Sequence, residues 1–97
     1  MDLGAGYTIL HKCDGLARAL GLRNLYVKDD TVNPTYSFKD RPATVAVSKA
    51  LEFGAKAMGC ASTGNLAAAL AAHAAKAGLP CYVFVPSDIE LNKIVQA

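Results

Sequence analysis

The sequence has little with which to grip a nucleic acid or cross a membrane. Aromatic residues make up 7% of it and charged residues 19%, and ten Lys and Arg against eight Asp and Glu leave a formal net charge of +2 with no basic cluster. A nucleic-acid module needs a basic stripe or a stacking platform, so that class is set aside. The most apolar stretch, Leu66 to Ala75, is interrupted by His73 and followed by Lys76, Gly78 and Pro80. It falls well short of the ~20 apolar residues that span a bilayer, so no membrane partner is expected. No basic region followed by an apolar run opens the chain, so no secretory signal is read and the cytoplasm is the expected location. Cys13, Cys60 and Cys81 are far apart, with no Cys-x-x-Cys pair and no His at ligand spacing, so neither a metal site nor a disulfide framework is expected. They read as buried, reduced thiols. His11 and His73 stand alone and read as structural or surface groups. Gly4-Ala5-Gly6 lacks the third glycine and the preceding strand of a dinucleotide fingerprint, and a Walker A motif is absent.

What is present is a hydrophobic, globular composition, 53% apolar over 97 residues, arranged as alternating helices and strands. Cys13 to Leu20 carries Leu16, Ala19 and Leu20 at helical spacing before Gly21, with Asp14 as candidate N-cap. Leu25-Tyr26-Val27 suits a short buried strand between polar residues. Pro34 marks a turn, and Pro42 is tolerable only within the first turn of a helix, which places a second helix from around Phe38–Pro42 to Phe53-Gly54. Ala57 to Ala61 follows as a buried strand. Asn65 to Ala77 is an alanine-rich helix with Ser62 or Thr63 as its cap, Gly78 near C′ and Pro80 just beyond. Cys81 to Val85 is the clearest strand, and Ser87 or Asp88 would start a last helix still running at Ala97. The class is α/β, Rossmann-like, with parallel βαβ units and a three-stranded sheet covered on both faces. One domain over 1–97 is expected, and its open sheet edges and missing helix stop suggest a truncated one.

Chemistry concentrates at two loops. Ligands of open parallel sheets bind outside the carboxyl ends of the strands, and both loops are expected at that edge. The first is Asn33-Pro34-Thr35-Tyr36-Ser37-Phe38-Lys39-Asp40-Arg41, which sets one lysine at the start of a helix. There the positive end of the macrodipole disfavours a charged amine, and a neutral lysine can form a Schiff base. The second is Ser62-Thr63-Gly64-Asn65, which brings hydroxyls, a glycine and an amide to a helix N-terminus where backbone N–H groups can meet a carboxylate or phosphate. Taken singly, Lys39 reads as a solvated lysine and Ser62–Asn65 as a plain helix cap. Only their order and shared βα context favour a site.

With these motifs in hand, the sequence resembles the N-terminal part of the fold type II pyridoxal-phosphate enzymes, a tryptophan synthase beta-like family, and within it the threonine synthase branch. The resemblance covers nearly the whole chain. It rests on Leu25-Tyr26-Val27-Lys28-Asp29-Asp30 leading into Asn33-Pro34-Thr35 and Ser37-Phe38-Lys39-Asp40-Arg41, and on Ser62-Thr63-Gly64-Asn65. It implies that Lys39 bonds covalently to pyridoxal 5'-phosphate and acts as the catalytic base, and that Asn65 hydrogen-bonds the cofactor's ring hydroxyl. It also implies that Ser62, Thr63 and Gly64 receive the substrate carboxylate. The implied reaction is conversion of O-phosphohomoserine and water to threonine and phosphate. Lys28 and Arg41 become candidate attractors of the substrate phosphate. Tyr36 departs from the glycine that many relatives carry, and Thr8-Ile9-Leu10 from Thr-Pro-Leu. The family's loop for the cofactor phosphate and its partner for the pyridine nitrogen fall beyond Ala97, so this chain alone is not expected to be a competent catalyst. Reactions of the threonine dehydratase or cysteine synthase type stay open, as do a non-catalytic anion-binding module and a homo-oligomer.

Overall fold

The computed structural model describes residues 2–88 and 91–96. Among them the order is β1 (Leu10–Lys12), α1 (Asp14–Ala19), β2 (Tyr26–Lys28), a 3-10 turn (Asp30–Val32), α2 (Asp40–Glu52), β3 (Met58–Ala61), α3 (Asn65–Ala77), β4 (Cys81–Phe84) and α4 (Leu91–Gln96). The α/β class holds, and β3, α3 and β4 form a parallel βαβ unit with Met58 opposite Cys81 and Ala61 opposite Phe84. The expected single three-stranded sheet does not. β2 pairs antiparallel with β1, Leu10 opposite Lys28, and these strands form a separate two-stranded sheet. The pattern reading missed β1 because three residues carry no period. Nor is β2 the buried strand expected, since Tyr26 and Val27 are exposed.

The core is the seam between α2 and α3. On α2, Asp40, Ala43 and Val47 recur at i, i+3 and i+7 and are all buried, which is the spacing of one helical face. On α3, Ala67, Leu70 and Ala74 repeat the same interval, and Ala69 and His73 widen the stripe. Alanine lets the two helix backbones approach closely, and α3 also covers one face of β3 and β4. The other face of that sheet is open, with Tyr82 60% and Phe84 68% exposed, so the expected cover on both faces is absent among the described residues.

Helix ends follow local chemistry. Gly78 takes φ 72°, Gly78 N–H donates to Ala75 O and Leu79 N–H to Ala74 O, a Schellman stop that the Gly-x-Pro pattern anticipates. At the first helix, Cys13 occupies the N-cap position and Asp14 is already helical, one residue from expectation. Ser87 and Asp88 lie in a turn before α4. The cap expected of them runs into residues 89–90, and the helix expected to continue at Ala97 reaches a residue that is likewise outside those described. The Cα radius of gyration is 16.7 Å with extents of 51 × 35 × 15 Å, against about 12 to 13 Å for a compact chain of this length. The molecule is a thin plate.

Candidate active site

The lysine turn is built from its backbone outward. Asn33 is buried, its Nδ2 donates to Asp30 O at 3.1 Å, its Oδ1 accepts from Gly6 N–H at 2.9 Å, and its carbonyl accepts from Tyr36 N–H at 2.8 Å. That turn forces Tyr36 to φ 63°, and it is the one non-glycine residue with positive φ among those described. Ser37 Oγ then accepts from Lys39 N–H at 3.2 Å, and Lys39 sits at the N-cap position of α2 with helical dihedrals. Its side chain is half-buried. The Nζ lies 5.0 Å from the centroid of the Phe38 ring, and among the described residues it has no carboxylate partner. Of the other described lysines, Lys12 pairs with Asp14, Lys49 with Glu52, and Lys28 Nζ donates to Thr8 O at 2.6 Å, whereas Lys56 and Lys76, like Lys39, have no ion pair among the described residues.

Arg41 is also committed. Its Nε and Nη2 donate to Asp30 Oδ2 and Oδ1 at 2.9 and 2.7 Å, and Nη2 reaches Thr8 Oγ1 at 3.1 Å. The guanidinium holds the Asp30 carboxyl well below its ordinary 3.8, at about 2. Arg41 therefore fastens the N-terminal segment to the start of α2, and Lys28 fastens it to β2. Gly6 explains itself the same way, since a Cβ there would lie 2.8 Å from Arg41 Nη1. Its φ of 85° favours glycine as well.

At the second loop, neither Ser62 nor Thr63 caps α3, contrary to expectation. Gly64 holds the N-cap position, no side chain caps the helix, and Ser62 Oγ accepts from Gly64 N–H at 3.3 Å. The first-turn N–H groups of Asn65, Leu66 and Ala67 thus have no helical acceptor, as at any helix start. Nothing lies within 4 Å of where a Cβ on Gly64 would stand, so an anion can come close to them. Asn65 and Thr63 are exposed and Ser62 is half-buried. A cavity of about 460 Å³ opens between Ser62 and Thr63 on one wall and Phe84, Val85 and Pro86 on the other. The two loops were expected at one sheet edge. They start two helices that pack together, but β2 and β3 belong to different sheets.

The residues that sequence reasoning missed lie beneath Lys39. Asp40, its neighbour, is fully buried, and its Oδ2 accepts from Thr35 N–H at 2.7 Å and from Thr35 Oγ1 at 3.0 Å. His73, also fully buried, is the structural histidine expected, with Nδ1 2.9 Å from Ala69 O and 3.6 Å from Asp40 Oδ1. A sequence signal existed: His73 falls on the buried stripe of α3, and Asp40 begins the buried stripe of α2. The three cysteines are free, as expected, but half-buried. Burial, with a smaller contribution from Cys60, pushes the Cys81 thiol up, away from a reactive thiolate.

A half-buried amine without an ion-pair partner, at a helix start, fits covalent attachment of an aldehyde cofactor. An uncapped helix start fits an anionic group. Comparison with known proteins agrees. Residues 1–97 match the family described as pyridoxal-phosphate dependent enzyme. The chain is 54% identical to threonine synthase of Methanosarcina acetivorans over 93 residues, 95% of this chain and 23% of that protein. It is 47% identical to threonine synthase of Methanocaldococcus jannaschii over 98 residues, 100% of this chain and 24% of that protein. Among solved structures, a pyridoxal 5'-phosphate-dependent aspartate racemase superposes with a TM-score of 0.87 at 32% identity, over 93% of this chain and 29% of that one. The chain spans about a quarter of the length of the curated relatives it matches. With its lysine turn, its uncapped second helix start and a match along its whole length, the chain belongs to the pyridoxal-phosphate dependent enzyme family.

Proposed function

We propose that the chain contributes the lysine-bearing portion of a threonine synthase, converting O-phosphohomoserine and water to threonine and phosphate in the cytoplasm. The reading treats residues 1–97 as one α/β unit working within a polypeptide that also supplies the counterparts of the relatives' remaining length. The observation that carries it is Lys39, a half-buried lysine at the start of α2 whose Nζ has no anionic partner, in a family named for a cofactor that bonds to lysine. Lys39 Nζ would hold pyridoxal phosphate covalently, and the exposed Asn65 amide would hydrogen-bond its ring oxygen. When bound, the cofactor supplies an electron sink for the substrate's α-carbon.

The chain's own groups do the rest. Lys39 Nζ, once free, is the base that takes the proton from the substrate α-carbon and returns a proton later. Ser62, Thr63 and Gly64, with the N–H groups that open α3, receive the substrate carboxylate and fix its orientation. The Phe38 ring, 5.0 Å from Lys39 Nζ, lies beside the amine.

The test is a chimera in which this chain replaces the aligned portion of the Methanosarcina acetivorans enzyme. Phosphate and threonine released in equal amounts from O-phosphohomoserine, and lost with Lys39→Ala, is the expected result. Ammonia release from threonine, or sulfide incorporation into O-acetylserine, with no turnover of O-phosphohomoserine would instead assign the dehydratase or cysteine synthase type of reaction. A chimera that folds and binds the cofactor equally with and without Lys39 would support an anion-binding module.

A further inference from the structure

We infer that Asp40 and His73 are positioning residues, a buried pair that fixes the Lys39 turn against α3. The inference rests on the reading of Lys39 as the cofactor lysine and goes beyond it to how that lysine is held.

Both side chains are fully buried, on facing helices, and each is the polar member of an otherwise apolar stripe. One carboxylate serves two elements. Its Oδ2 takes both donors of Thr35, the residue before the strained Tyr36, while its Oδ1 faces His73 Nδ1 at 3.6 Å. The carbonyl of Ala69 can only accept, so His73 Nδ1 carries the hydrogen it donates to Ala69 O, with Asp40 Oδ1 3.6 Å away. Asp40 Oδ1 and His73 Nε2 have no hydrogen bond among the described residues, so the pair is held by the packing of the two helices around it. The contact also sets a spacing. His73 stands eight residues along α3 from Asn65, about 12 Å at 1.5 Å per residue. Because α3 is one rigid element, holding Asp40 level with His73 fixes where Lys39 stands relative to Asn65. Removing either member should loosen the turn and misplace the amine, while the apolar seam survives.

The experiment uses the full chain with three variants: His73→Leu, Asp40→Asn, and Val47→Ala as a seam control remote from the pair. Asparagine keeps an acceptor for Thr35 but presents N–H groups to His73 Nδ1–H, which separates the Thr35 bonds from the pair. Two quantities are read: amide exchange at Thr35, and pyridoxal phosphate labelling of Lys39 relative to Lys76 after borohydride fixation. His73→Leu and Asp40→Asn should each speed Thr35 exchange by about tenfold through local opening. Both should lower the Lys39-to-Lys76 ratio, and the double variant should be no worse than the worse single. Val47→Ala should leave the ratio unchanged. Unchanged Thr35 exchange in both variants, or an equal fall of the ratio in Val47→Ala, overturns the inference. If the parent shows no preference for Lys39, this chain does not hold the cofactor without the remaining length of its relatives, and Thr35 exchange by itself decides whether the pair holds the turn.

Discussion

Tyr36 holds φ 63° three residues before Lys39, and the residue is 79% exposed. An aromatic residue in that region costs about 1–3 kcal/mol, which the surrounding turn imposes through Asn33 and Thr35. Tyr36→Gly should therefore stabilise the chain by about 1 kcal/mol after allowing for glycine's greater unfolded-state freedom. A higher urea midpoint is the expected outcome, and a lower one would show that the ring contributes packing that outweighs its backbone strain. Asp30 gives a second prediction. Its folded pKa, about 2, lies below the ordinary 3.8 because Arg41 donates to it. The interaction is thus fully present above about pH 4 and is lost as pH falls toward 2. Asp30→Asn should abolish that part of the acid-induced loosening, read by near-ultraviolet dichroism between those limits. An acid limb identical to the parent's would mean the contact between the N-terminal segment and the lysine turn does not contribute.

At the scale of elements, the seam of α2 and α3 depends on small side chains. Ala43 and Ala69 have no exposed surface, so there is no room for growth. Ala43→Leu should destabilise by about 1–3 kcal/mol through overpacking, measured by chemical unfolding. A neutral effect would mean that the helices separate easily. These helices were legible because alanine, glycine and proline mark their bodies and ends: Asn65–Ala77 falls where expected, and Asp40–Glu52 within the expected limits. The strands were less so. β1 is three exposed residues, and the partner of β2 depends on an antiparallel contact across α1 that no local pattern encodes. The site divided in the same way. Lys39 and Gly64 stand at helix starts as their neighbours implied, whereas the Arg41–Asp30 pair was not legible, because the two are joined by a turn whose shape depends on Asn33. The Asp40–His73 contact joins residues 33 positions apart and is visible only when both helices are packed.

At the scale of the molecule, a plate 15 Å thick leaves Tyr82, Phe84, Leu91 and Val95 exposed on elements that relatives carry within much longer chains. Unpaired strand edges beside such apolar surface favour association. Sedimentation should show concentration-dependent self-association of the chain, and a monomer across the accessible range would contradict that expectation. The central proposal is narrower: that these 97 residues carry the cofactor lysine of their family, and that it is Lys39. The direct measurement is peptide mapping of the Methanosarcina acetivorans chimera that carries this chain, and of its Lys39→Ala form, after incubation with pyridoxal phosphate, desalting and borohydride fixation. The expected result is a label concentrated on Lys39 well above Lys56 and Lys76, with a visible absorbance band that the substitution removes. A label spread over the lysines according to their exposure, with the same total in Lys39→Ala, would contradict the claim.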